Sequence, residues 1–146
     1  MIRTATTTSG PTEARGRNTQ QRSSVLGVLG ESSRFRTAQD IYAELRAQGA
    51  RVGLTTVYRH LQKLADDGVI HSLQTPDRQT AYRLCGSQSH HHLVCVSCGA
   101  GVEVPASELA NWIEGEAALR GYSDVTHNVE IFGTCPMCSA RKAASG

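Results

Sequence analysis

The chain has 146 residues, with 15 Lys/Arg, 13 Asp/Glu and six His, a formal charge of +2 at pH 7, and 39% apolar residues. That length allows one large domain or two small ones with thin cores, and no run of about 18 apolar residues is present to cross a membrane. The near-balance of charge conceals an asymmetry. Residues 1–85 carry 12 Lys/Arg against 7 Asp/Glu, or +5, and residues 86–146 carry 3 against 6, or −3. A basic front half can neutralise phosphates, although an ordinary solvated surface can carry the same surplus.

Residues 1–17 are rich in Thr, Gly and Arg, lack the apolar segment of a secretory leader, and read as a disordered tail. The five cysteines are therefore expected to be reduced and the protein cytoplasmic. Asn18 or Thr19 can cap a first helix with the apolar stripe Val25, Leu26, Val28 and Leu29. Thr37 with Asp40 has the spacing of a capping box. Ala38, Ile41, Tyr42 and Leu45 then follow helical periodicity up to a stop at Gly49. A third helix starts near Thr55 with Val57, Leu61 and Leu64 inward. Two strands, 69–75 and 80–84, flank the turn Pro76-Asp77-Arg78-Gln79.

Three helices followed by a β-hairpin is the order of a winged helix, whose last helix enters the DNA major groove. The outward face of the third helix suits that task. Arg59 can pair with guanine, Thr55, Thr56 and Lys63 can hold phosphates, and Tyr58 can pack against sugar or a thymine methyl. Arg15, Arg17 and Arg22 add cations before or within the first helix. The competing reading is an amphipathic helix with a polar outside.

The back half reads β-β-α-β. Residues 90–96 and 101–104 form strands, Ser107 caps a helix with Leu109, Trp112 and Ile113 inward, and residues 125–132 form a strongly β-prone strand. A three-stranded antiparallel sheet with one helix is too small to stand alone, so a homodimer is expected. The chain is thus expected to be α+β, with a winged-helix DNA-binding domain at 18–85, a small α/β dimerisation domain at 86–140 and a disordered tail at 141–146.

Two C-x-x-C pairs, Cys95/Cys98 and Cys135/Cys138, can supply four thiolates, which close a tetrahedral zinc site of the structural kind. Redox C-x-x-C motifs are the rival, but neither pair precedes a thioredoxin-like helix in a βαβ setting. Strand parity sends His90 and His92 to one face and His91 to the other. With Cys85 and His71, the first two make a Cys1His3 set, suited to Zn²⁺ more than to Fe²⁺ or Mn²⁺. At least two zinc ions per subunit are expected. A zinc hydrolase would need an open metal position and a base motif such as H-E-x-x-H, which the chain lacks.

Leu54-Thr55-Thr56-Val57-Tyr58-Arg59, the run from His90 to Gly99 and the ending from Val129 to Cys135 resemble the Fur (ferric uptake regulator) family, specifically its zinc-responsive actinobacterial branch, over roughly residues 15–139. The resemblance implies a dimeric repressor that is not an enzyme. It would bind an AT-rich inverted-repeat operator when zinc-loaded and silence zinc-uptake genes. An iron- or peroxide-sensing repressor of the same family is the alternative, disfavoured by Cys85. The resemblance matches the structural zinc at Cys95, Cys98, Cys135 and Cys138. It matches the sensing site at Cys85, His90 and His92, with His71 standing where relatives often have Asp. A third site keeps only His91 and His127, because Ser89 and Ala110 replace ligands. It is expected to be weak or absent unless Glu103 or Glu108 substitutes, and His127 also reads as a packed core residue.

Overall fold

The computed structural model describes residues 11–86 and 90–146. The front half is built from α1 (Pro11–Gly30), the short strand β1 (Arg36–Thr37), α2 (Ala38–Ala47), α3 (Leu54–Asp66), β2 (Ile70–Gln74) and β3 (Thr80–Leu84). Its core joins Val25, Val28 and Leu29 of α1 to Ile41 and Leu45 of α2 and to Val57, Leu61 and Leu64 of α3. The capping box forms. The Thr37 hydroxyl accepts from the Asp40 backbone N–H, and the Asp40 carboxylate accepts from the Thr37 N–H. After α2 the chain turns at Gly49, whose φ of +80° lies in the left-handed region that glycine adopts without strain.

The three strands of the front half make an antiparallel sheet in the order β1-β3-β2. One face, with Ile70 and Tyr82, joins the helical core. The other carries Leu73 and Ala81, which pack with Phe35, Val94 and Phe132 into a second, smaller cluster. That cluster includes residues of both halves of the chain.

The back half contains β4 (His90–Cys95), β5 (Gly101–Pro105), α4 (Ser107–Leu119), β6 (Glu130–Gly133) and α5 (Pro136–Ala144). The sheet order is β5-β4-β6. β5 runs antiparallel to β4 but β6 runs parallel to it, so this sheet is mixed and not antiparallel as expected. The reason is the connection. A β-β-α-β order returns the chain across α4, a crossover that can bring the last strand back in the same sense as β4.

Other expectations also change. Of the expected tail 1–17, residues 1–10 lie outside the described residues, while α1 already begins at Pro11, seven residues before the expected cap. Proline is well suited to a first helical turn, because its missing N–H has no intrahelical partner there. The tail expected at 141–146 is helical to Ala144 as part of α5. Ser107 is the first residue of α4 and makes no side-chain cap. Of the residues expected inward, Leu109 and Ile113 are only half-buried and Trp112 is 64% exposed, so α4 fully buries none of them.

Between α1 and α2 the backbone touches both halves. Arg36 and Thr37 pair with β3, Arg34 bridges to Ala100, and the Phe35 N–H donates to the Gly99 carbonyl at 2.9 Å. This segment lies beside the Cys95–Cys98 turn.

Candidate metal centres and nucleic-acid face

Two groups of metal-ligating side chains converge among the described residues. In each, the ligand atoms all lie within 4.8 Å of one another.

The first group is Cys95, Cys98, Cys135 and Cys138. Cys95 ends β4, and Cys98 follows in a tight turn closed by a hydrogen bond from the Gly99 N–H to the Cys95 carbonyl. Cys135 is the N-cap of α5 and Cys138 lies in its first turn, so one helix end holds both thiols. The Cys98 and Cys135 sulfurs are 3.8 Å apart. Four sulfurs about 2.3 Å from a tetrahedral zinc ion would be separated by about 3.8 Å, so the donor set fits that ion. Backbone N–H groups of Cys135 and Cys98 hold the Cys95 thiol down at about 6, and the Cys135 N–H donates to its sulfur at 3.3 Å. Thiol neighbours, Cys135 first, push Cys138 up to about 12. Four crowded thiols cannot all ionise unless a cation compensates them.

The second group is His71 on β2, Cys85 just after β3, and His90 and His92 on β4. His92 Nε2 is 3.1 Å from Cys85 Sγ and 3.1 Å from His90 Nε2. The His71 and His90 rings stack with centroids 4.9 Å apart. Nitrogens about 2.05 Å from a tetrahedral ion would be separated by about 3.3 Å, close to the observed spacing. Burial raises the Cys85 thiol to about 11, against the pull of Arg83. Burial, with His90 and His71 nearby, lowers His92 to about 4, and burial also lowers His71. At neutral pH the cluster therefore offers unprotonated His71 and His92 beside a protonated thiol.

His91 points away from this group, as parity requires. It is buried, and its ring lies 5.6 Å from that of His127, which is exposed and not the packed core residue expected. No third group of three or more ligands gathers among the described residues; Ser89 lies outside them.

On the basic side, Arg22, Arg59 and Lys63 line one cleft of about 300 Å³ between α1 and α3, with Asn18, Thr19 and His60. Thr55, Tyr58 and Arg59 are exposed along α3. Thr56 is half-buried and its hydroxyl accepts from Arg59 at 3.5 Å. Arg15 is exposed on α1, and Arg17 lines a different cleft with Arg51. Asp67 draws on two of the cations, Arg22 at 3.7 Å and Lys63 at 3.4 Å. Sequence reasoning missed His60, which is buried on the α1 side of α3 with Nε2 unpartnered among the described residues. Its place at i+3 from Val57 was the available signal.

The ferric uptake regulator family model matches residues 13–132. The chain belongs to that family. Among Fur-family relatives, the zinc uptake regulation protein of Mycobacterium tuberculosis is 45% identical over 122 residues, covering 84% of this chain and 94% of that protein. The crystal structure of FurB from M. tuberculosis, a zinc uptake regulator, aligns at a TM-score of 0.54 with 44% identity, covering 87% of this chain and 98% of that one. The Vibrio cholerae ferric uptake regulator aligns at a TM-score of 0.63 with 27% identity, covering 78% and 88%. No helix among the described residues is long and apolar enough to cross a membrane.

Proposed function

We propose that the protein is a zinc-responsive transcriptional repressor, and not an enzyme, acting in the cytoplasm as a homodimer on AT-rich inverted-repeat operators of zinc-uptake genes. The observation that carries this reading is the origin of the second ligand group. His71 and Cys85 come from the front half, whereas His90 and His92 come from β4 of the back half. An ion held by all four fixes the two halves against each other, and by linkage DNA binding to that arrangement tightens zinc binding equally. Three nitrogens and a thiolate favour Zn²⁺ over Fe²⁺ and Mn²⁺, which weighs against iron or peroxide sensing.

In this reading residues 18–85, extended at the front by the first turns of α1, form a winged-helix DNA-binding domain. Residues 86–140 form the dimerisation domain, closed by the structural zinc at Cys95, Cys98, Cys135 and Cys138. Its unburied α4 and the exposed Leu93, Val102 and Ile131, neighbours across the three strands of one sheet face, support pairing with a second copy. The 45% identity to a zinc uptake regulation protein supports the metal and the role. Arg59 reads a base, while Arg15, Arg17, Arg22, Thr55, Thr56, Tyr58 and Lys63 contact the backbone or its margins. His91 and His127 form no working third site.

The test is operator binding titrated with buffered free zinc. Cys85→Ala is expected to leave a folded dimer that no longer binds DNA tightly in response to zinc. Wild-type operator affinity of that variant at the same free zinc would overturn the sensing assignment. Arg59→Ala is expected to lose about 1–3 kcal/mol of operator discrimination.

A further inference from the structure

Beside the second ligand group lies a charged pair that joins the two halves of the chain. Arg83 sits on β3 directly across from His71 on β2, and Glu103 sits on β5 directly across from His92 on β4. The Arg83 side chain is only 11% exposed, and its Nη2 lies 3.9 Å from Glu103 Oε1. The same Glu103 oxygen lies 3.8 Å from His90 Nε2. The carboxylate thus stands between a desolvated guanidinium and the nitrogens of the candidate metal centre.

The guanidinium is packed into place. Its carbon lies 5.9 Å from the centre of the Phe35 ring. On β5, a Cβ at Gly101 would come within 2.9 Å of Arg83 Nη1 and 3.1 Å of the Phe35 ring, so the absence of a side chain there admits the arginine. Nε and Nη1 have no hydrogen-bond partner among the described residues. A cation this buried needs a counter-charge, and Glu103 is the acid it pairs with.

We propose that Arg83 is a metal-selectivity residue: by engaging Glu103 it keeps that carboxylate out of the coordination sphere and leaves the centre with three nitrogens and one sulfur. A carboxylate ligand would raise the coordination number and favour oxygen-seeking cations such as Mn²⁺, whereas the N₃S set favours Zn²⁺. Without Arg83, Glu103 would keep its place 3.8 Å from His90 Nε2 and would be free to turn to an ion held there. Arg83 acts through Glu103 and is a positioning residue, not a ligand.

The inference rests on the sensing-site reading, and the experiment separates the two. The full-length dimer, with zinc retained in its four-cysteine site, is titrated with Co²⁺ and then with Mn²⁺ in competition with Zn²⁺. Wild type is expected to show an intense four-coordinate cobalt spectrum with a thiolate charge-transfer band. If Cys85→Ala does not remove that band, the sensing-site reading fails. If it does, Arg83→Met is expected to weaken the ligand-field bands toward higher coordination and to raise Mn²⁺ affinity relative to Zn²⁺ by about tenfold or more. Adding Glu103→Gln to Arg83→Met should restore the four-coordinate spectrum, and Arg83→Lys, which keeps the charge, should fall between. An Arg83→Met protein with the wild-type spectrum and wild-type metal preference would overturn the proposal. So would a changed spectrum in Glu103→Gln alone, because the carboxylate would then already be a ligand.

Discussion

Gly99→Ala probes how tightly the four-cysteine turn is docked on the segment between α1 and α2. Two penalties coincide at this glycine. Its φ is +74°, where an L side chain costs about 1–2 kcal/mol, partly offset by about 0.4–1 kcal/mol from the stiffer unfolded chain. A Cβ there would also stand 2.9 Å from the Phe35 carbonyl oxygen. That oxygen is backbone, so it cannot swing aside as the end of a long side chain can. Moving it disturbs the 2.9 Å bond from the Phe35 N–H to the Gly99 carbonyl, and overpacking of this kind costs about 1–3 kcal/mol. The expected loss is about 2–4 kcal/mol. Gly121→Ala is the matched control, because Gly121 has φ +75° but nothing within 4 Å of the added carbon; it should lose about 1 kcal/mol or less. The measurement is urea unfolding of the zinc-saturated protein at one protein concentration, comparing midpoints at equal m-values. Losses equal to within about 0.5 kcal/mol would refute the reasoning, because the Phe35 contact would then carry no weight.

Zinc affinity at the second centre should rise about tenfold per pH unit around neutrality, the slope of one released proton. The Cys85 thiol is held at about 11 and must ionise to bind, while His92, at about 4, is already unprotonated; competition with a zinc indicator from pH 6.5 to 8 checks the slope, and a flat profile would contradict it. The depressed His92 also lowers apo stability in acid. The unfolded chain binds its proton near 6.5 and the folded chain only near 4, so the stability from this group is fully present above about 6.5 and is lost as pH falls toward 4; thermal midpoints of the zinc-free second site should follow that direction. Thr37→Ala, which removes the hydroxyl from a complete capping box, should lower stability by about 1 kcal/mol. Cys138→Ala should reduce retained zinc and destabilise the dimer, read by metal content and sedimentation, with a greater stability loss than Cys85→Ala.

Much of this was legible because particular residues admit few alternatives. Thr37 with Asp40, the i, i+3, i+4 apolar steps of α2 and α3, and the turn at Pro76 are local signals, and the local structure obeys them. The alternation of His90, His91 and His92 needed only the two-residue period of a strand to divide them between faces. What the sequence concealed depends on partners distant in the chain. Trp112 and Leu109 have the spacing of a buried stripe, yet among the described residues α4 fully buries none of its side chains, because periodicity reports that a face is apolar and not which molecule meets it. The parallel direction of β6 is set by the path across α4, which no local pattern encodes. β1 is two residues long and exists only because β3 lies beside it. The Arg83–Glu103 pair joins residues 20 apart on different sheets, and neither carries a motif.

The residues from Arg34 to Thr37 tie the front sheet to the four-cysteine turn at one end of the contact between the halves. The His71, Cys85, His90 and His92 group lies further along the same strands, two to four residues from Leu73, Ala81 and Val94. Under the proposed function the arrangement is that of a door, pivoted near Phe35 and clasped at its free edge by the ion that His71, Cys85, His90 and His92 would hold. At about 3.3 Å per residue the clasp stands roughly 10 Å from the pivot, so a change of about 1 Å in ligand spacing becomes a rotation of about 6°. In the proposed two-fold dimer both doors turn by that amount, the two motions related by the rotation axis. Any shift of the proposed DNA-binding halves along the line that joins them then changes their separation by twice that shift, which a duplex whose half-sites are fixed by its helical repeat would register.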